Sequence, residues 1–188
     1  MAYEKRNEMA YWATRLQNNC LTVNTALLKV FQTYCLDRVG CVYVEIEDEL
    51  VPVKISTLTS RTIGLTPHHV SEIVEPPFVS RVPPSEDGET YHTFLIGTRE
   101  DTEELIALDG SASQFGVFPE PYFPGAGDIP FLALPLVPFL RRLGTHRVLP
   151  PSERQQVATY DNSPFIKNKV NECIIVALEN AWDGPPKS

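Results

Sequence analysis

The sequence predicts an α+β fold: N-terminal helices packed on a central antiparallel sheet, closed by a C-terminal helix. Three observations carry this. The first forty residues repeat apolar positions at helical spacing. Residues 41–57 and 78–109 hold short β-branched and aromatic runs between turn signals. Residues 163–182 then return to helical spacing.

Taken in order, residues 3–18 suit a helix with Met9, Trp12, Ala13 and Leu16 along one face. A second helix follows the "NNC" break, its apolar side built from Leu21, Val23, Ala26, Leu27, Val30, Phe31 and Tyr34, and Gly40 marks its end. Asn18, Asn19 and Thr22 are the available N-cap residues, which puts Cys20 at or just before the helix start. "CVYVEIED" (41–48) and "VPVKIST" (51–57) read as two strands around a short acidic turn. In "LTPHHVSEIV", Thr66 as cap and Pro67 at the first helical position predict a short helix to about Val74. "FVSRV" (78–82) reads as a strand, and two more follow at 91–97 and 104–109.

After Gly116 six prolines fall within 24 residues, which excludes a long regular helix or a central strand and predicts a Pro/aromatic-rich loop over 117–151. The C-terminal helix 163–182 has Ser163 as cap, Pro164 at its first position and a stripe that includes Phe165, Val170, Cys173 and Val176. The 188 residues fit a single domain, 1–188.

Composition narrows the function. Hydrophobic residues at 43% and charged residues at 21% are the balance of a globular protein. There is no run of eighteen apolar residues and no secretory leader pattern, so a cytoplasmic protein without membrane association is expected. A net charge of −8 opposes broad nucleic-acid binding, which needs basic surface to displace counterions. The local exception is 140–154, where Arg141, Arg142, His146, Arg147 and Arg154 gather. The four cysteines, Cys20, Cys35, Cys41 and Cys173, have no metal-site spacing, and no metal is expected. Neither a P-loop nor a dinucleotide fingerprint is present, so no cofactor is expected either. Cys35, Cys41 and Cys173 sit in apolar patterns and read as core; His68 and His69 read as structural or exposed.

The strands 91–97 and 104–109 are joined by "TREDTE" and should pair antiparallel. With the turn centred between Glu100 and Asp101, His92 faces Asp109 on one side of the sheet, close enough for an imidazole–carboxylate hydrogen bond. A carboxylate on one ring nitrogen fixes the tautomer and leaves the other to take a proton. Cys20 is the candidate donor of that proton, because the positive end of a helix favours thiolate. The result is a nucleophile for acyl transfer, with backbone N–H groups of the helix start available to an oxyanion.

A Cys at the start of a buried helix, a His on a strand and an Asp ending the next strand resemble the transglutaminase-like branch of the papain-like cysteine fold. The segments that carry the likeness are "NNCLTVNTALL", "YHTFLI" and "IALDGSASQFG", the last similar to the D-x-(T/S)-x-x-Q-F ending of small members. It covers roughly residues 19–116, a catalytic-core-like region. The resemblance implies a papain/transglutaminase-like core in which Cys20 is nucleophile, His92 general base and acid, and Asp109 the orienting group. Gln114 would line the site or support the hairpin. Two family features differ: Leu21 stands where an aromatic residue often follows the nucleophile, and Thr14 where the papain branch has Gln.

Asn19 beside the thiol, and Arg141 with Arg142 for a donor's phosphates, complete the candidate substrate-binding residues. The expected partners are a small-molecule or peptide acyl donor and an amine acceptor or water. A more specific version loads Cys20 from an aminoacyl ester such as aminoacyl-tRNA, as tRNA-dependent cyclodipeptide synthases load a nucleophile. The rival of another class is a catalytically silent protein-interaction domain, in which His92 and Asp109 only pin the hairpin and Asp109–Gly110 is a turn opener.

Overall fold

The computed structural model describes residues 19–73, 79–84, 88–119 and 131–160. The expected helices 3–18 and 163–182, and Cys173, lie outside the described residues. Helix α1 (Cys20–Val30) runs into a π-helical turn (Phe31–Cys35) and a last short turn, α2 (Leu36–Val39). Gly40, at φ +69°, ends it in a conformation that a side chain would resist.

Strand β1 (Cys41–Ile46) turns through Glu47 and Asp48, both at positive φ, into β2 (Glu49–Pro67). Two left-handed residues between paired strands match the right-handed strand twist, as the acidic turn requires. Strands β3 (Val70–Ile73) and β4 (Val79–Val82) form a separate two-stranded ribbon. Then come β5 (Thr90–Arg99), β6 (Leu105–Asp109), a 3₁₀ turn (Ala112–Phe115), β7 (Leu132–Pro135), helix α3 (Leu136–Leu143), β8 (Gly144–Val148) and helix α4 (Pro151–Tyr160). The main sheet is antiparallel in the order β1-β2-β5-β6-β7, with β8 also pairing β2. An irregularity between Lys54 and Thr59 divides β2, so β1 pairs with its first half and β8 with its last five residues.

The α+β class and the antiparallel sheet are as expected from sequence. Two readings are corrected. The short helix from Thr66 to Val74 does not form: β2 continues through Pro67 against β8, and Val70–Ile73 is strand. The cap-and-proline signal is local, and ladder pairing along β2 overrides it. The 117–151 segment is not one loop, for it contains β7, α3 and β8. Two of its prolines occupy places that tolerate them. Pro135 ends β7 and is the N-cap of α3, and Pro138 lies in the first turn of α3, where a backbone N–H has no helical partner anyway.

Strand β5 is buried on both faces. Phe94 and Ile96 face a cluster with Ala107, Phe115, Phe139 and Leu143, under α3. Leu95 faces the opposite cluster with Val53, Ile106 and Leu108, against which Leu27, Leu28 and Phe31 of the first helical stretch pack. The Phe94 and Phe139 rings lie 4.7 Å apart, a contact worth about 0.5–1.5 kcal/mol beyond its area. Helices thus cover both sides of the central strands. Cys35 is half-buried and packs against the second cluster, while Cys41, on the edge strand β1, is half-buried and not among the core residues.

Candidate active site

The β5–β6 hairpin is the base of the site, and its register differs from the expected one. Leu95 pairs with Leu108, Ile96 with Ala107 and Thr98 with Leu105. Five residues, 100–104, connect the strands; Glu103 takes positive φ and its N–H bonds to Arg99 O at 3.0 Å, while Arg99 N–H bonds to Glu104 O at 2.8 Å. The ladder is therefore shifted by two residues from a turn centred on Glu100 and Asp101. A shift of two preserves faces. His92 and Asp109 remain on the same side of the sheet but meet diagonally, a spacing that two long polar side chains bridge.

They do bridge it. His92 Nε2 donates to Asp109 Oδ2 at 2.7 Å, and both side chains are fully buried. The imidazole is boxed by aromatic rings: Phe94 stacks at 5.7 Å and Phe115 meets it edge-on at 4.8 Å. Asp109 is held in turn through its other oxygen. Oδ1 accepts from Ser111 N at 2.8 Å, Ser111 Oγ at 2.7 Å and Asn24 Nδ2 at 3.0 Å.

Cys20 is the first residue of α1, with Asn19 at the N-cap position. The N–H groups of Cys20, Leu21 and Thr22 precede the first intrahelical bond, from Val23 N to Asn19 O at 2.9 Å. The Cys20 residue is 8% exposed, and its sulfur lies 3.7 Å from Tyr91 O, to which the protonated thiol donates. It also interacts with the His92 imidazole and the Thr93 N–H. Since Nε2 of His92 is committed to Asp109, the nitrogen left for the sulfur is Nδ1, which is buried and has no partner at strict hydrogen-bond geometry. Gly110 lets the helix come this close, because a Cβ there would stand 2.9 Å from Leu27 Cδ1 and 3.0 Å from Val23 Cγ1.

The electrostatics agree with the geometry. Burial pushes the Cys20 thiol up, but the His92 hydrogen bond and charge and the Thr93 N–H together outweigh it, and its pKa lies below the ordinary value. Burial pulls His92 down, yet the Asp109 carboxylate and the Cys20 sulfur raise it to about 9. Burial likewise opposes ionisation of Asp109, and His92 and Ser111 overcome it, so Asp109 stays below the usual carboxylate range. These shifts all favour a thiolate–imidazolium pair backed by a carboxylate. Chemically, that is a poised nucleophile with a proton donor beside it.

Of the other residues singled out in the sequence, Gln114 is buried in the 3₁₀ turn that follows Asp109. Arg141 and Arg142 lie on the last turn of α3, on a different element from the cluster; Arg141 is exposed, and Arg142 donates to Phe118 O at 3.3 Å. Arg147 of the basic segment is bound by Glu89 and Glu153. Sequence reasoning misses two residues. Asn24 is fully buried at the centre of the network, and Ser111 supports Asp109. The available signal for Asn24 is an amide inside an otherwise apolar helical stripe, one turn after Cys20. Among the described residues no group of three His, Cys, Asp or Glu is placed to hold a metal ion, and no helix is long and apolar enough to cross a membrane.

No family model, characterised protein or solved structure matches this chain.

Proposed function

We propose that the protein is a cysteine-dependent acyl-transfer enzyme built on a transglutaminase-like core, with Cys20 as nucleophile, His92 as proton shuttle and Asp109 as the group that orients His92. The observation that carries this reading is the buried His92–Asp109 pair turned toward a thiol on the first turn of a helix.

The thiolate of Cys20 attacks the carbonyl carbon of a thioester, ester or amide, forming the S–C bond. Oxyanion charge develops beside the N–H groups of the first turn of α1. As the bond to the leaving group breaks, His92 passes its Nδ1 proton to that group, leaving a thioester on Cys20. An amine or water then attacks the thioester carbonyl and yields its proton to Nδ1. Cys20 departs as thiolate, and the starting state is restored. Asp109 keeps its proton-acceptor face toward Nε2 throughout, so only Nδ1 exchanges a proton with substrate. Small or extended acyl donors suit a thiol exposed to this limited degree.

Iodoacetamide labelling across pH, read residue by residue by mass spectrometry, tests the reading. Cys20 should label with a midpoint well below about 8.5, the ordinary thiol value, and His92→Ala should move that midpoint upward. Labelling of Cys20 at the same rate and midpoint as Cys35 and Cys41 would sink it.

A further inference from the structure

The β5–β6 ladder stops at Leu95 and Leu108, although both strands continue. Extended by two residues, the register sets Thr93 opposite Gly110. Arg99 N donates to Glu104 O, and hydrogen-bonded pairs alternate along an antiparallel ladder, so Thr93–Gly110 is due to be one of them. Instead, Gly110 N donates to Asn24 Oδ1 at 3.0 Å, and Asn24 Nδ2 donates to Thr93 O at 2.8 Å. The side-chain amide of Asn24 stands between the two strands as a peptide group of a third strand would.

We propose that Asn24 is a positioning residue: its carboxamide replaces the Thr93–Gly110 ladder pair, wedges β5 and β6 apart at that point, and seats Cys20 in the gap against His92. This rests on the reading of Cys20 as nucleophile.

Three further features support it. The same Nδ2 lies 3.0 Å from Cys20 O, from Asp109 Oδ1 and from Ser111 Oγ, which share its second hydrogen, so one group ties the helix start, β5 and the carboxylate together. Its orientation is fixed by its neighbours. Turned over, the carbonyl would face the Thr93, Cys20 and Asp109 oxygens, and the NH2 would face the Gly110 N–H. The Thr93 N–H freed by the parting is taken by the sulfur and stabilises it as thiolate. Both Thr93 backbone groups and the Gly110 N–H thus stay satisfied although β6 has left. A merely space-filling residue at position 24 would do none of this.

The full-length protein tests the wedge without mutation. In a triple-resonance NMR experiment that detects coupling across hydrogen bonds, Gly110 nitrogen should couple to the side-chain carbonyl carbon of Asn24. Coupling to the Thr93 carbonyl carbon, or to neither, overturns the proposal. Function is then read from Asn24→Ala: the pH midpoint of Cys20 alkylation should rise by about one unit or more, toward ~8.5. Asn24→Gln, which keeps the amide, should recover part of the shift. An alanine variant that folds and keeps the parent midpoint overturns the positioning role; if alanine does not fold, Asn24→Ser is judged by the same midpoint. If His92→Ala also leaves the parent midpoint unmoved, the nucleophile reading fails, and the Gly110 coupling still decides the wedge.

Discussion

His92 and Asp109 meet across a diagonal of the β5–β6 hairpin, with Nε2 and Oδ2 2.7 Å apart and no water-exposed surface on either side chain. A buried ion pair of this kind is a weak source of stability, because desolvation offsets much of the attraction. Its consequence is a fixed imidazole whose remaining nitrogen is turned toward sulfur.

Replacing Asp109 by Asn keeps the shape and removes the charge that chiefly holds His92 at about 9. The imidazole should then titrate near or below 6.5, its ordinary value, and the thiolate should lose its counter-charge. Alkylation of Cys20 at pH 7 should slow by about tenfold or more, a change corresponding to roughly one pKa unit of lost interaction. An unchanged rate would separate Asp109 from the thiol.

Acyl transfer should follow a bell in pH. The rising limb reports Cys20 and lies below its ordinary value; the falling limb reports loss of the His92 proton near pH 9. Stability carries the same sign for His92. A raised basic pKa adds stability that is complete below 6.5 and disappears as pH rises through about 9. In a Cys20→Ala background, which removes the sulfur's own titration, the melting-temperature gap between the protein with its Asp109 carboxylate and the Asp109→Asn variant should shrink over that window.

Ser111→Ala removes a 2.7 Å hydrogen bond to a fully buried carboxylate oxygen, leaving the Ser111 N–H and Asn24 Nδ2 on it. The loss should cost about 1–3 kcal/mol in urea unfolding, and the midpoint of Cys20 labelling should shift less than in Asp109→Asn.

Gly110→Ala inserts a methyl group within 3.0 Å of Leu27 and Val23. Pushing α1 off the hairpin should cost about 1–3 kcal/mol and slow Cys20 alkylation at neutral pH. A variant as stable and reactive as the parent would show that the helix has room to move.

Much of this is legible in the chain. Alternation in "YHTFLIG" and "ELIALDG" fixes the faces within each strand, and any turn that shifts their pairing by an even number of residues leaves His92 and Asp109 on one face. The expected register is off by two residues, since nothing in "TREDTE" announces that Glu103 takes positive φ. Thr66–Pro67 looks like a helix start because capping is local, whereas the β8 pairing that converts it to strand comes from residues 144–148, far along the chain. The prolines of 117–151 suggest the exclusion of regular structure, yet Pro135 and Pro138 sit where an element ends or begins. Asn24 stays hidden for the same reason as β8, for its partners Thr93, Asp109, Gly110 and Ser111 are distant in sequence.

The central claim is that Cys20 carries an acyl group, and the direct measurement is trapping it. The full-length protein is incubated with an activated acetyl ester, quenched in acid and mapped by tandem mass spectrometry. The account predicts an acetyl thioester on Cys20, formed faster than on Cys35 or Cys41, largely absent in His92→Ala and discharged by added amine. Acetylation spread equally over the three thiols, or unaffected by His92→Ala, would contradict it.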